Sequence, residues 1–275
     1  MTTIELVWGA RTDVGRHRKA NEDALIAEFP VFLVADGMGG HEAGDVASER
    51  ALAAFRPLVG RDSVSLEDFS TAFHQAAREV AAIQVQRSAG TTISGVAVSE
   101  SGGVSYWLVL NIGDSRTYRL ASGRLEQISV DHSVVQELID EGRLAPAQAE
   151  SHPERHVITK AVGAGSRAEP DYWLIPATSG DRLLICSDGL SKEVAAEEIG
   201  QILAGSGDPQ ALADRLVQSA LEHGGHDNVT VIVVDAVNAR VDDEFPTVPN
   251  VTAEPDYETV PRIDTDEGAA HADEA

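Results

Sequence analysis

Thiol chemistry is nearly absent from the 275-residue chain, which has one cysteine, Cys186. No intramolecular disulfide can form, and the flanking run Leu183-Leu184-Ile185 marks a buried core thiol rather than a reactive one. Long apolar runs are missing too: none approaches the roughly 18 residues that a membrane span requires. The start, Met1-Thr2-Thr3-Ile4-Glu5, lacks the basic-then-apolar pattern of a secretory leader. These absences lead to the expectation of a soluble, cytoplasmic protein. Basic residues are scarce, with 21 Lys+Arg against 45 Asp+Glu and a formal net charge of −24. Such a surface repels phosphate backbones and anionic head groups, so neither nucleic acid nor membrane is an expected partner.

Composition shifts after about residue 239. Positions 241–275 hold eleven acidic residues, one arginine and four prolines, too little apolar surface to offset the entropy of ordering. The reading is a folded unit over 1–239 and an acidic, disordered tail over 240–275. Within the unit, Val31–Ala35, Tyr106–Leu110, Arg182–Cys186 and Val229–Val234 are short, apolar, largely β-branched runs bounded by Gly, Pro or Asp, as buried strands are. Thr92–Val98 adds another. Helical spacing appears from Ala43 to Leu58, from Leu66 to Ile83 behind a Ser65 cap, and after Asp208-Pro209 as far as Gly224-Gly225. Residues 133–163 break the pattern with a short helix ending at Gly142 and a polar, histidine-bearing connection, an inserted flap. Strands in clusters with helices between favour two sheets covered by helices.

Aspartates stand at the ends of these strands. Val31–Ala35 runs into Asp36-Gly37, Tyr106–Ile112 into Gly113-Asp114, and Arg182–Cys186 into Ser187-Asp188-Gly189, while Asp227-Asn228 opens the last strand. In antiparallel neighbours the end of one strand lies beside the start of the next, so these carboxylates can converge on one sheet edge. Unpaired, each close pair would repel by about 4 kcal/mol at an intermediate dielectric. A cation is therefore expected among them, and all-oxygen ligation selects hard ions such as Mg²⁺ or Mn²⁺. His132, His152, His156, His223 and His226 read as solvated or structural residues, because the carboxylates already suffice as ligands.

Arg18-Lys-Ala-Asn-Glu-Asp23, Asp36-Gly-Met-Gly-Gly40, Gly90-Thr-Thr92, Gly113-Asp-Ser-Arg116, Ser187-Asp-Gly-Leu190 and Asp227-Asn-Val-Thr230 follow one another in the order and spacing of the metal-dependent PPM (PP2C-type) serine/threonine phosphatases. The chain resembles a bacterial member of that family from about Ala10 to Asp235. The resemblance implies an α+β fold, a two-sheet antiparallel β-sandwich flanked by helices in α-β-β-α layers, with the flap as a small insertion. It implies two Mn²⁺ or Mg²⁺ ions at one end of the sandwich: Asp36 bridging both, the Gly37 carbonyl binding one, Asp188 and Asp227 completing the second site, and Asp23 acting through water. Arg18 matches the family's phosphate-binding arginine. The implied activity is hydrolysis of phosphoserine and phosphothreonine, by attack of a water held between the ions, on phosphoproteins modified by a bacterial Ser/Thr kinase. A monomer is expected. Gly37, Gly39 and Gly40 suit a backbone that turns a carbonyl toward a cation.

Two positions depart from the family pattern. Met38 stands where eukaryotic members have a histidine credited with protonating the leaving oxygen, which leaves His41 as the nearest candidate acid. Lys192 stands where many relatives have an aspartate that, with the counterpart of Asp114, binds a third metal. A lysine there disfavours a third ion on Coulomb grounds. It is also the one feature favouring an alternative, a pseudophosphatase that binds phosphoproteins without turnover. A phosphodiesterase or nuclease using two ions is a third reading, which the net charge opposes.

Overall fold

The computed structural model describes residues 4–39, 43–83, 89–163 and 169–239. Two antiparallel sheets pack face to face. One contains β1 (Ile4–Asp13), β11 (Val229–Ala239), β10 (Arg182–Cys186), β7 (Arg116–Ala121) and β8 (Arg124–Gln127), in that spatial order. The other runs β2 (Asp23–Glu28), β3 (Val31–Met38), β5 (Ile93–Ser101), β6 (Val104–Ile112) and β9 (Asp171–Pro176), with the short β4 (Gly90–Thr91) pairing onto the end of β3.

Period-two alternation divides the apolar runs between three cores. Phe32, Val34, Val96, Trp107, Val109, Leu183, Ile185, Ile232 and Val234 point between the sheets. Their neighbours Val31, Leu33, Ala35, Leu108 and Leu110 point outward, onto α1 (Gly44–Ala53) and α2 (Leu66–Ala81). On the other sheet Leu184, Cys186, Val231 and Val233 face α5 (Ala196–Ala204) and α6 (Pro209–Glu222). Both faces of the central strands are therefore buried, which is why their sequences are continuous apolar runs rather than alternating ones. The layers are α-β-β-α, as the family resemblance implies. Cys186 is fully buried, and burial pushes its thiol up to about 12.

Two of the longer helices start on side-chain caps. Ser65 accepts from the Asp68 amide at 3.0 Å, and Asp208 accepts from the Ala211 amide at 2.8 Å with Pro209 in the first turn. The first helix is shorter than its spacing suggests. It stops at Ala53, and Arg56–Leu58 forms a separate 3₁₀ turn, because Pro57 has no N–H to give and its ring would clash with the carbonyl four residues back. The flap carries α3 (Val134–Asp140), capped by Ser133, and a 3₁₀ turn over Pro146–Ser151. No residue of α3 is fully buried; the bridge Ser133–Ile158 ties the two ends of the flap to each other, and the bridge Thr91–Val162 joins it to the body. Among the described residues no helix is long and apolar enough to cross a membrane. The acidic stretch 240–275 lies outside the described residues.

Candidate metal centre

Strand direction alone brings the acids together. β2 and β3 are antiparallel, and Asp23 at the start of one is the cross-strand partner of Asp36 near the end of the other. β6 runs parallel to β3, two strands away through β5, so Asp114 just beyond it lies at the same end. In the second sheet β10 and β11 are antiparallel, with Cys186 opposite Val231. Asp188, two residues past β10, and Asp227, two residues before β11, share that end as well. The two sheets thus deliver their acids to one edge of the sandwich.

Electrostatics tie the groups to one another. Burial, reinforced by the charges of Asp188, Asp23, Asp114 and Asp227, raises Asp36 well above the usual carboxylate range. Burial raises Asp23 to about 7 against hydrogen bonds that favour its charged form, with Asp188 and Asp227 adding to the rise. Burial and Asp188 raise Asp114 to about 7 despite the opposing charge of Lys192. Buried oxygens Oδ1 of Asp23, Asp114 and Asp188 have no hydrogen-bond partner. Mutually repelling carboxylates with unpartnered oxygens are what a site built for hard divalent cations presents without them. Among the described residues no three His, Cys, Asp or Glu side chains are placed so that they could together hold a metal ion as they stand. Two basic residues hold three of the acids: Arg18 Nη2 lies 2.7 Å from Asp227 Oδ2, and Lys192 Nζ pairs with Asp188 and lies 3.4 Å from Asp114 Oδ2. Burial works against the Lys192 ammonium, but Asp188 and Asp114 outweigh it and hold the group above the ordinary lysine range.

Hydroxyls and amides fix the backbone beneath the acids, and these the motif reading left unexplained. Asp36 donates its N–H to Thr92 Oγ1 at 3.0 Å, and its carbonyl accepts from Thr91 Oγ1 and the Thr92 amide, each at 2.9 Å. Thr92 in turn bonds Ser115 at 2.7 Å. Ser187 Oγ donates to Asp23 Oδ2 at 2.8 Å while accepting the Thr230 amide at 3.0 Å, linking the two sheets. Asn228 accepts the Glu22 amide and donates to the carbonyls of Val14 and Ala20, anchoring the loop that carries Arg18.

Two glycines owe their identity to close approach. A Cβ on Gly37 would lie 2.1 Å from the Gly44 carbonyl oxygen and 2.6 Å from that of Glu22, where α1 starts against β3. A Cβ on Gly189 would lie 2.0 Å from the Asn228 carbonyl oxygen, where α4 (Asp188–Ser191) meets the start of β11. Space is thus a structural requirement at Gly37. Gly40 and His41 lie outside the described residues.

Five histidines are placed as follows. His132 is buried and structural, with Nδ1 accepting the Gly113 amide at 3.2 Å and Nε2 3.2 Å from Asp171. His152 and His156 sit on the flap surface, and His223 and His226 pair with Glu198 and Glu193. Two cavities open on the described body, one of them lined in part by Asp23 of the centre. One of about 500 Å³ opens at the far end of β10 around Asp181 and Arg182, and one of about 420 Å³ opens beside Asp23, Thr12 and Glu49.

A sandwich of this layering with an acid edge is the architecture of a protein phosphatase family, and comparison with known proteins agrees. The family model described as protein phosphatase 2C matches residues 16–223, and the chain belongs to that family. The serine/threonine protein phosphatase PstP of Mycobacterium tuberculosis is 40% identical over 245 residues, which are 86% of this chain and 46% of PstP. The chain thus spans about half the length of that relative. The serine/threonine phosphatase stp of Listeria monocytogenes is 35% identical over 240 residues, 82% of this chain and 94% of stp. Among solved structures, the PstP catalytic domain in complex with two manganese ions superposes with a TM-score of 0.75 at 37% identity, covering 85% of this chain and 99% of that one. A serine/threonine phosphatase of S. agalactiae superposes at 0.76 with 28% identity, covering 84% and 100%.

Proposed function

We propose that the chain is a metal-dependent protein phosphatase acting on phosphoserine and phosphothreonine, on proteins that a Ser/Thr kinase has modified, as a cytoplasmic monomer. The observation that carries this reading is the convergence of Asp23, Asp36, Asp114, Asp188 and Asp227 with buried, unpartnered oxygens among them. Asp36, the Gly37 carbonyl, Asp188 and Asp227 would hold two Mn²⁺ or Mg²⁺ ions, with Asp23 reached through water. Such a pair of ions, when bound, supplies the Lewis acidity that lowers the pKa of water and braces the oxygens entering and leaving phosphorus.

The protein's own groups do the positioning. The Thr91–Thr92 clamp fixes Asp36 on both sides of its peptide. Ser187 aims Asp23 by holding one of its oxygens. Arg18 is half exposed and bonded to Asp227. On release its planar fork suits a tetrahedral phosphate dianion. His41 remains the proposed leaving-group acid. The pseudophosphatase alternative rests on Lys192, whose ammonium occupies two of the acids.

Hydrolysis of a phosphothreonine peptide with Mn²⁺ tests the proposal. Turnover abolished by chelator and by Asp36→Asn is the expected result. A pure, folded protein that binds the phosphopeptide and is inert across divalent metals would leave the pseudophosphatase reading in its place.

A further inference from the structure

Lys192 caps α4 one helical turn beyond Asp188, so the two side chains emerge on the same face. From there the ammonium reaches two carboxylates that come from different sheets. It bonds Asp188 Oδ2 and lies 3.4 Å from Asp114 Oδ2. Both acids are nearly buried, at 10% and 7% side-chain exposure, and Lys192 keeps 33%. The geometry is that of a cation bridging two acids, with the cation covalently attached.

Charge accounting makes the substitution exact in formal terms. A divalent ion with one additional carboxylate ligand contributes a net charge of +1, and so does a lysine ammonium. A chain with an aspartate and an ion at this place and a chain with Lys192 alone would present the same total charge to a phosphate dianion. An ammonium differs in what it cannot do. It offers three N–H donors and no coordination sites, so it neutralises acids without organising water around itself.

We propose that Lys192 replaces a third divalent ion between Asp114 and Asp188, making this chain a strictly two-ion phosphatase in which Asp114 is a positioning residue for Lys192 rather than a metal ligand. The proposal rests on the two-ion reading above. It explains why Asp114 is retained at the acid edge opposite a lysine: without Asp114 the ammonium would draw on Asp188 alone and compete harder with the ions for that carboxylate. The unpartnered Asp114 Oδ1 is the feature that could still attract an ion, and the test is aimed at it.

Equilibrium dialysis of the full chain against increasing Mn²⁺, with metal analysis of the retentate, gives the number of ions bound. The expected result is saturation at two ions per chain for the wild type and for Asp114→Asn, and at three for Lys192→Asp. Asp114→Asn introduced into Lys192→Asp should return the count to two. A third ion on the wild type that Asp114→Asn removes would overturn the proposal, as would a folded Lys192→Asp protein that still saturates at two. If Lys192→Asp fails to fold, the wild type and Asp114→Asn decide alone. A wild type holding fewer than two ions would instead overturn the two-ion reading beneath it.

Discussion

Asp23 and Asp36 face each other across the β2–β3 ladder, two carboxylates placed by register in direct cross-strand opposition. Like charges so placed destabilise a sheet, and both acids are held far above their ordinary pKa by burial and by their acidic neighbours. Each keeps some accessible surface, as groups lining a cleft do, while being densely surrounded by protein.

Removing one of these charges should separate stability from function. Asp36→Asn keeps the shape and relieves the repulsion, so the metal-free variant is expected to be more stable than the metal-free wild type, by about 1.4 kcal/mol for each pKa unit of perturbation relieved. The same variant should lose the rise in melting temperature that Mn²⁺ gives the wild type. Urea unfolding in chelator and thermal melts with Mn²⁺ measure the two effects, and a metal-free Asp36→Asn protein weaker than wild type would contradict the assignment.

The same perturbation sets a pH dependence. Asp23 and Asp114 titrate near 7 in the folded metal-free protein and Asp36 well above its ordinary value, whereas all three titrate near 4 when unfolded. A raised acid pKa means the folded state binds more protons across that interval, so stability falls as pH rises from about 4 to about 7. Bound divalent ions displace those protons. The melting temperature in chelator should therefore drop between pH 5 and 8, with the stabilisation by Mn²⁺ widening over the same range. A metal-free melting temperature that climbs with pH would sink this account.

Much of this site is legible in the sequence because strand ends are. Asp36, Asp188 and Asp227 follow or precede apolar runs that burial on both faces makes conspicuous, and the turn from Arg182–Cys186 into Ser187-Asp188 is readable to the residue. The edge strands are not. β1 (Ile4–Asp13) mixes Trp8 and Val7, both partly exposed, with Glu5 and Arg11, and β9 leaves Leu174 more than half exposed, so neither shows a clean period of two. Pro57 is a readable sign that the first helix stops early. The hydroxyl network is invisible in one dimension: Ser187 and Asp23 are 164 residues apart, and nothing about a serine before Asp-Gly reveals that it serves an acid in the other sheet.

That serine makes a sharp prediction. Ser187→Ala removes a donor to Asp23 and strands the Thr230 amide. The lost bonds should cost about 1–3 kcal/mol of stability. Asp23 loses its aim, and groups that orient metal-site residues typically contribute about 10–100-fold to metal affinity. Mn²⁺ titration should show a loss of that order with the ion count unchanged. Ser187→Thr, which keeps the hydroxyl, should recover most of it. Equal Mn²⁺ affinity in wild type and Ser187→Ala would remove Ser187 from the site.

Asp181, at the far end of the strand that leads to Asp188, should behave in the opposite way. It stands just before β10, with 1% of its side chain exposed. One oxygen accepts from Arg119 at 2.7 and 2.9 Å and from the Thr178 hydroxyl at 2.8 Å. The other accepts from Trp107 Nε1 at 3.0 Å and the Thr178 amide at 2.9 Å. Removing one partner of a buried, fully bonded charge network costs about 3–5 kcal/mol, because the others are left desolvated and unpaired. Asp181→Ala should therefore unfold at markedly lower urea. The five residues of β10 place it about 17 Å from the acid edge, beyond direct contact with the carboxylates and beyond a Debye length at physiological salt. Below the unfolding transition the variant should bind Mn²⁺ with wild-type affinity and stoichiometry. A drop in metal affinity as large as that of Ser187→Ala would mean that the two ends of β10 are coupled through the strand, and that the acid edge depends on the opposite pole of the sandwich.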